Sequence, residues 1–312
     1  MKVMSTLFCA AAISAAFAMS PAYAEYPEKP IQIVVPVGTG GDTDFNAREM
    51  SKYLQKELGV ALPVVNIAGA GGTIGARQVM SAKPDGYKVM FYHAGLMVST
   101  ATGIADFGWR DFELAAIAGK EGGTVLLVQK DAPWKTMDDL AAAIKAEPQS
   151  LSLTANVGAT TYLIAKLLDK KGLKFNLVDV GGSSKRLTAI LGGNVDLSQN
   201  PYAQVKDYLK NGELRALGTF TDERIKAAPD IPTLKEQGYD IAFQFNFYFA
   251  FPKGTPKEIV DKFGAAVMKV VQNPDYIADI KAYAQEPVAM IGDDAVARME
   301  ELDAIVNMVD LK

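Results

Sequence analysis

Histidine occurs once in this chain and cysteine once, and each scarcity excludes chemistry. The cysteine, Cys9, falls in a leader-like segment. Lys2 is the only charge there, Leu7 to Met19 is a short apolar run, and Ala22-Tyr23-Ala24 puts small residues where a signal peptidase reads them. Cleavage after Ala24 is expected, and with it export to the periplasm, leaving 288 residues (312 less the 24 removed). Without Cys9 there is no disulfide, no thiolate metal site and no cysteine nucleophile. One histidine, His93, is too few for a histidine-rich metal site. A Ser-His-Asp arrangement would have to use it, and no G-x-S-x-G elbow is present. Beyond the leader no apolar run approaches the roughly 20 residues of a membrane-spanning helix. Long runs of one charge are missing too. With Lys2 removed, 31 cations stand against 36 carboxylates, a formal charge of −5 that disfavours nucleic acid as a partner.

What is present is an alternation of strands and helices. Ile31 to Val37 reads as a buried strand, and Asp44 to Leu58 as a helix whose Ala47, Met50, Leu54 and Leu58 form one apolar face before Gly59 stops it. Leu62 to Asn66 is a second strand, AGAGGTIGARQVM a glycine turn opening a second helix, and Tyr87 to Tyr92 a third strand. The pattern restarts after Thr124. VLLVQK is a strand, and Thr136 to Asp139 is a capping box on DDLAAAIKA. Strand, small-residue turn and helix recur in LSLTANVGATTYLIAKLL. FNLVDV, Val195 to Ser198 and LRALGTF are further strands, with GGSSKRLTAIL and PYAQVKDYLK as helices between them. The tail from Pro256 is helical around the short strand EPVAMI. The expected fold is α/β in two lobes, each an open sheet flanked by helices. Lobe one takes residues 25–124 plus 250–312 and lobe two residues 125–249. In IAFQFNFYFAF five phenylalanines alternate with Ala242, Gln244, Asn246, Tyr248 and Ala250, which reads as a core wall or as a strand aiming Asn246 or Tyr248 into a cleft.

Glycine turns follow three strands, at Gly38 to Thr43, Gly69 to Thr73 and Asn156 to Thr161. A dinucleotide fingerprint would need a third glycine at 43, which is Thr43, and an acidic residue where Asn66 stands. The second turn lacks its third glycine at Ile74, and neither turn ends as a P-loop does. A helix N-terminus also holds a plain carboxylate through unpaired N–H groups, and glycine lets the ligand approach the backbone. Three such turns in an exported chain point to that reading. Asp42 complicates it, because a carboxylate there repels an acidic ligand unless it points away or meets a ligand amine. Asp44 is explained as a cap of the helix it begins.

The segments YPEKPIQIVVPVGTGGDTDFNAR, AGAGGTIGA, PDGY, LTAILGGNVDL, NGELRALGTFTDER, PDIPTLKEQGY and FPKGTPKEIVDKF occur in order over nearly the whole mature chain. Together they resemble the substrate-binding proteins of tripartite tricarboxylate transporters, the Bug family. That resemblance implies a two-lobed, type II-like periplasmic binding protein that closes on a small carboxylate and delivers it to a membrane permease. It implies a monomer with no metal or redox cofactor and no catalysis. The chain departs from the family pattern at Gly158-Ala159-Thr160-Thr161-Tyr162-Leu163, where Gly-Ser-x-x-His-Leu is common. It departs again at Ser198-Gln199-Asn200-Pro201, at Phe247-Tyr248, and at Lys185-Arg186, which charge a helix start that is usually uncharged.

The site expected from turns and resemblance has the backbone of Gly40, Gly41, Asp42 and Thr43 facing the carboxylate from lobe one, with His93, Ala94 and Gly95 beside it. Asn156, Gly158 and Thr160 face it from lobe two, while Asn200, Phe247 and Tyr248 shape the far end. Two other readings stay open at this point: an exported enzyme using His93, and a sensory receptor with the same binding chemistry.

Overall fold

A computed structural model describes residues 26–312; the leader segment, its cleavage point and Cys9 lie outside the described residues. The chain first builds β1 (Gln32–Val35), α1 (Asp42–Leu58), β2 (Val64–Asn66), α2 (Thr73–Met80), β3 (Lys88–Tyr92), α3 (Gly95–Ala101) and β4 (Phe112–Lys120). It then crosses to β5 (Thr124–Gln129), α4 (Met137–Ala146), β6 (Ser152–Thr154), α5 (Thr160–Lys170), β7 (Asn176–Val178), α6 (Ser183–Leu191), β8 (Leu197–Pro201), α7 (Tyr202–Lys210) and β9 (Leu214–Thr219). It returns through β10 (Asn246–Pro252) and ends in α8 (Lys257–Val270), α9 (Pro274–Ala282), β11 (Ala289–Met290) and α10 (Gly292–Asn307).

Two mixed sheets result, in the orders β11-β4-β10-β3-β1-β2 and β7-β6-β8-β5-β9. Each has a parallel core, β2-β1-β3 in one and β7-β6-β8 in the other, because βαβ crossovers generate parallel neighbours. Each is extended by antiparallel strands that come from the crossings between lobes. β10 already belongs to the first sheet at Asn246, so the return to lobe one begins four residues before the expected 250. At the other crossing Thr124 opens β5 of the second sheet, where lobe one was expected to extend to 124. The two crossings also bond to each other: the Glu121 N–H donates to the Phe245 carbonyl at 3.0 Å, and the Gln244 amide donates to the Glu121 carbonyl at 3.2 Å.

The β5 sequence TVLLVQ shows why alternation could not locate the core here. Leu126 and Val128 join the main core, while Val125 and Leu127 join a second cluster with Ile190 and Val205 on the opposite face. β10 is likewise buried on both faces: Phe247, Phe249 and Phe251 on one, and Tyr248 and Ala250 on the other. Strands covered by helices on both sides are apolar throughout, and period two then carries no inside–outside signal. The tail helices α8 and α10 pack on β4, and α8 and α9 pack on α1. At Gly264 of α8 the contact with β4 is close enough that an added β-carbon would stand 2.7 Å from the Ala115 carbonyl oxygen. Gly264→Ala is therefore expected to lower stability by about 1–2 kcal/mol, overpacking outweighing the better helix propensity of alanine. A thermal melt checks this; an unchanged or raised Tm would mean that α8 can ride off the sheet freely.

Candidate functional site

The glycine turn after β1 ends in Gly41, the N-cap of α1, whose backbone is extended and supplies no side-chain cap. The first-turn amides of Asp42 and Thr43 are therefore left for another acceptor. Gly40 is different from expectation. Its N–H donates to Asp44 Oδ2 at 2.9 Å and its carbonyl accepts from Gln204 Nε2 of lobe two at 3.0 Å, so neither group is open to a ligand. Asp44 is therefore not the cap of a helix it begins, as expected of it: α1 starts two residues earlier, and Asp44 reaches back from inside the first turn to Gly40, its charge met by Arg48 at 3.0 Å and Asn66 at 2.9 Å.

Directly across stands a second uncapped helix start. α6 has Gly182 as N-cap, again without a side-chain cap, and its Ser183 Oγ lies 2.8 Å from where a Gly41 β-carbon would be. Two helix N-termini, one per lobe, face each other. A second meeting of the lobes involves the turn before α2 and the turn before α5. The Ser99 hydroxyl lies 3.0 Å from the Gly71 carbonyl and 2.7 Å from the Gly158 carbonyl, and its single proton serves one at a time. Gly158 is therefore a lobe–lobe contact. α5 has no side-chain cap either, and Thr160 is buried at its start.

Asp42 does not aim at that junction. Its Oδ1 accepts from Gln285 Nε2 at 2.7 Å, and burial raises its pKa to about 7 against that hydrogen bond. Beside it, burial and then the charge of Asp42 push Glu121 up to about 8. These two carboxyls lie at the crossing between lobes, and near neutrality the pair retains protons. The repulsion expected of Asp42 toward an acidic ligand is correspondingly reduced.

His93 is buried at the end of β3, tilted against Phe245 with ring centres 4.6 Å apart. Its Nδ1 accepts from the Gly95 N–H at 2.9 Å, which occupies the Gly95 amide and leaves the proton of a neutral ring on Nε2. Burial, and then the charge of Arg186, lower its pKa to about 3, so the ring is neutral throughout the physiological range. A base with so low a pKa is poorly matched to work near neutrality. Ala94 is buried in the turn that starts α3.

Three expected residues have structural roles. Asn200 donates to the Ser183 carbonyl at 2.8 Å and accepts from Ser198 at 2.7 Å; it shores up the start of α6 and is fully buried. Phe247 is fully buried against Phe91 and backs His93 without reaching the cleft. Tyr248 is fully buried on the other face of β10, its hydroxyl without a partner. Asn246, also weighed for the cleft, is held by the Gly119 carbonyl and by Arg298. Asn156 donates its side-chain amide to Asp179 and its backbone N–H to Thr161 Oγ1, and its Oδ1 is buried without a partner. Sequence reasoning passed over Ser99, Ser183 and Gln204. GGSSKRLTAIL reads as an ordinary helix with a glycine start, and only packing shows that this start meets Gly41.

A cavity of about 640 Å³ lies by the crossing, lined among others by Glu121, Arg224 and Gln285. It is ringed by exposed charges, and neither α1 nor α6 contributes its N-terminus to it, so it is separate from the helix junction. Among the described residues no group of three or more His, Cys, Asp or Glu could hold a metal ion.

Comparison with known proteins gives the family and the fold. Residues 46–303 match the family described as "Tripartite tricarboxylate transporter family receptor". A UPF0065 protein from the TAR-I ttuE–ttuC′ intergenic region of Agrobacterium vitis is 32% identical over 270 residues, covering 85% of this chain and 78% of that one. The solved periplasmic binding protein BugD is similar at 28% identity with a TM-score of 0.80, over 91% of this chain and 94% of its own. MatC from Rhodopseudomonas palustris, with bound malate, is similar at 25% identity with a TM-score of 0.79, over 90% of this chain and all of its own. The fold is that of the two-lobed periplasmic binding proteins, and the family consists of solute receptors, not enzymes. The chain belongs to the tripartite tricarboxylate transporter receptor family.

Proposed function

We propose that this chain is exported, captures a small organic acid between its lobes and presents it to a membrane permease of the tripartite tricarboxylate type. The observation that carries the reading is the junction of two uncapped helix N-termini, α1 at Gly41 and α6 at Ser183. Each end carries a partial positive charge of roughly half an electron with N–H groups unfilled, so a carboxylate between them is stabilised by both lobes at once. A ligand bound that way favours the closed arrangement by its differential affinity, and closure is the signal a permease can read. Malate bound in the similar MatC supports the ligand class. The backbone amides of Asp42 and Thr43, with His93 and Thr160, line the approach in this reading, and Gly41 is the point of closest passage.

The test is a thermal-shift panel of the mature chain against malate, adipate, benzoate, tricarboxylates, amino acids and neutral sugars. An acid present at one hundred times its Kd stabilises by about 2.7 kcal/mol, which raises Tm by roughly 5–10 °C for a protein of this size. Stabilisation by sugars with none by the acids would overturn the reading.

A further inference from the structure

We propose that Arg186 is the charge partner of the bound carboxylate, with the Nε2–H of His93 as a neutral donor beside it, so that this chain reads its ligand by a cation and not by backbone alone. The proposal rests on the receptor reading above and names the residue that sets its preference for acids.

Of the six other arginines of the described chain, Arg48, Arg77, Arg110, Arg224 and Arg298 each have a carboxylate within 4.0 Å, and Arg215 is spent on the carbonyls of Lys130, Ala132 and Trp134. Arg186 has no such carboxylate. Its Nε donates to the Gln199 carbonyl at 2.8 Å and its Nη1 to the Gly181 carbonyl at 3.4 Å, which orients the guanidinium and leaves donors unfilled. Asp179, the anion whose charge acts on Arg186, already accepts from the Asn156 side chain and the Gly181 N–H. The guanidinium is nonetheless deep: burial pulls its pKa down to about 10, outweighing Asp179, yet leaves it charged at neutral pH. The residue keeps part of its surface accessible, as a cleft-lining group does. A charge taken out of bulk water without a counter-ion is unfavourable, and an incoming carboxylate removes that penalty.

Position points the same way. Arg186 lies three residues after Ser183 on α6, hence on the same helix face and about 5 Å along the axis. Ser183 meets Gly41 of lobe one, and the field of Arg186 reaches His93 of lobe one. The guanidinium therefore looks across the cleft from lobe two, next to both helix N-termini. Gln199 fixes the fork through its carbonyl while its side-chain amide holds the Thr154 and Thr161 carbonyls, tying the arginine to the start of α5. A planar fork with free N–H groups matches a carboxylate bidentately, which an ammonium cannot do.

Isothermal titration of malate, adipate and benzoate, each beside its neutral amide, into the wild type, Arg186→Gln and Arg186→Lys decides the matter. The expected result is a 10- to 100-fold loss of acid affinity in Arg186→Gln, a smaller loss in Arg186→Lys, and a collapse of the acid-over-amide preference. A merely structural arginine would weaken acid and amide alike, and that outcome overturns the proposal. If the wild type binds an acid and Arg186→Gln binds it equally well, Arg186 is not the partner and the receptor reading stands. If the wild type binds none of the acids, both fall together. Should Arg186→Gln not fold, Arg186→Lys against wild type serves, an unchanged acid-over-amide preference overturning the proposal and a several-fold drop supporting it.

Discussion

Alanine at Gly71 is expected to hold the two lobes apart and to weaken ligand capture about 100-fold, equivalent to roughly 2.7 kcal/mol. Gly71 sits at φ +62°, and an added β-carbon would stand 2.5 Å from Ser99 Oγ and 2.9 Å from the Gly158 carbonyl oxygen. The serine hydroxyl can rotate away. The Gly158 carbonyl is backbone of the other lobe and can yield only if the lobes separate. The left-handed backbone adds about 1–2 kcal/mol of strain to the folded chain, a cost that open and closed forms share. Gly41→Val is the strain-free companion: Gly41 has φ −89°, which valine adopts without penalty, and its added carbons meet Ser183 Oγ from 2.8 Å onward. Small-angle scattering with and without the best acid of the panel reads the outcome. The wild type is expected to compact on binding and neither variant to do so, with Tm of the free Gly41→Val protein near that of the wild type. Wild-type compaction and affinity in both variants would mean that these glycines are not where the lobes close.

Stability is expected to fall as pH rises from about 5 to 8. Asp42 and Glu121 are buried side by side, with folded-state pKa values raised to about 7 and about 8, above the ordinary carboxylate range near 4. A group whose folded pKa is raised binds more protons in the native than in the unfolded state. Its stabilisation is full below the unfolded pKa and is lost as pH climbs through the folded one, so the window runs from about pH 4 to pH 8. The groups facing the pair do little to relieve it: Gln285 donates to Asp42, Thr124 to Glu121, and Lys120 lowers Glu121 only after burial and Asp42 have raised it. Tyr283, the remaining neighbour of Asp42, is neutral across this window. A single carboxyl raised from about 4 to about 7 accounts for a loss of about 4 kcal/mol over the window, roughly 8–16 °C in Tm. Asp42→Asn combined with Glu121→Gln is expected to flatten the profile. A wild-type Tm that is flat or rises between pH 5 and 8 would show that the pair is solvated or paired in solution.

The departures from the family pattern gain meaning from these geometries. Lys185 and Arg186 both charge the start of α6, but only Arg186 turns toward the cleft and only it affects His93. Asn200, which looked like a specificity residue, instead braces that helix through the Ser183 carbonyl. In the proposed reading α6 presents the group that sets specificity, with β8 as its support.

The α/β alternation, the capping box at Thr136 and Asp139, and the glycine turns before α1, α2 and α5 were all legible in the sequence, because each is set by neighbours within a few residues. The Thr136 hydroxyl accepts from the Asp139 N–H at 3.1 Å and Asp139 answers at 3.0 Å, a reciprocal bond that four consecutive residues suffice to specify. α3 and β4 escaped notice. FELAAIAGK carries three alanines and a glycine, residues of low strand propensity, and is a strand only because β10 and β11 pair with it on either side. The five phenylalanines were rightly suspected of forming a wall, but burial of both faces of β10 withdrew Asn246 and Tyr248 from the cleft. Local chemistry, then, determined where this chain can offer unfilled N–H groups. Asp44 closes off the Gly40 N–H and His93 the Gly95 N–H from within a few residues, but which of the remaining groups meet across the lobes was decided by contacts such as Gly41 with Ser183 and Gly40 with Gln204, between residues more than a hundred positions apart. No sequence pattern records such contacts, since they arise only when two separately built sheets are brought together.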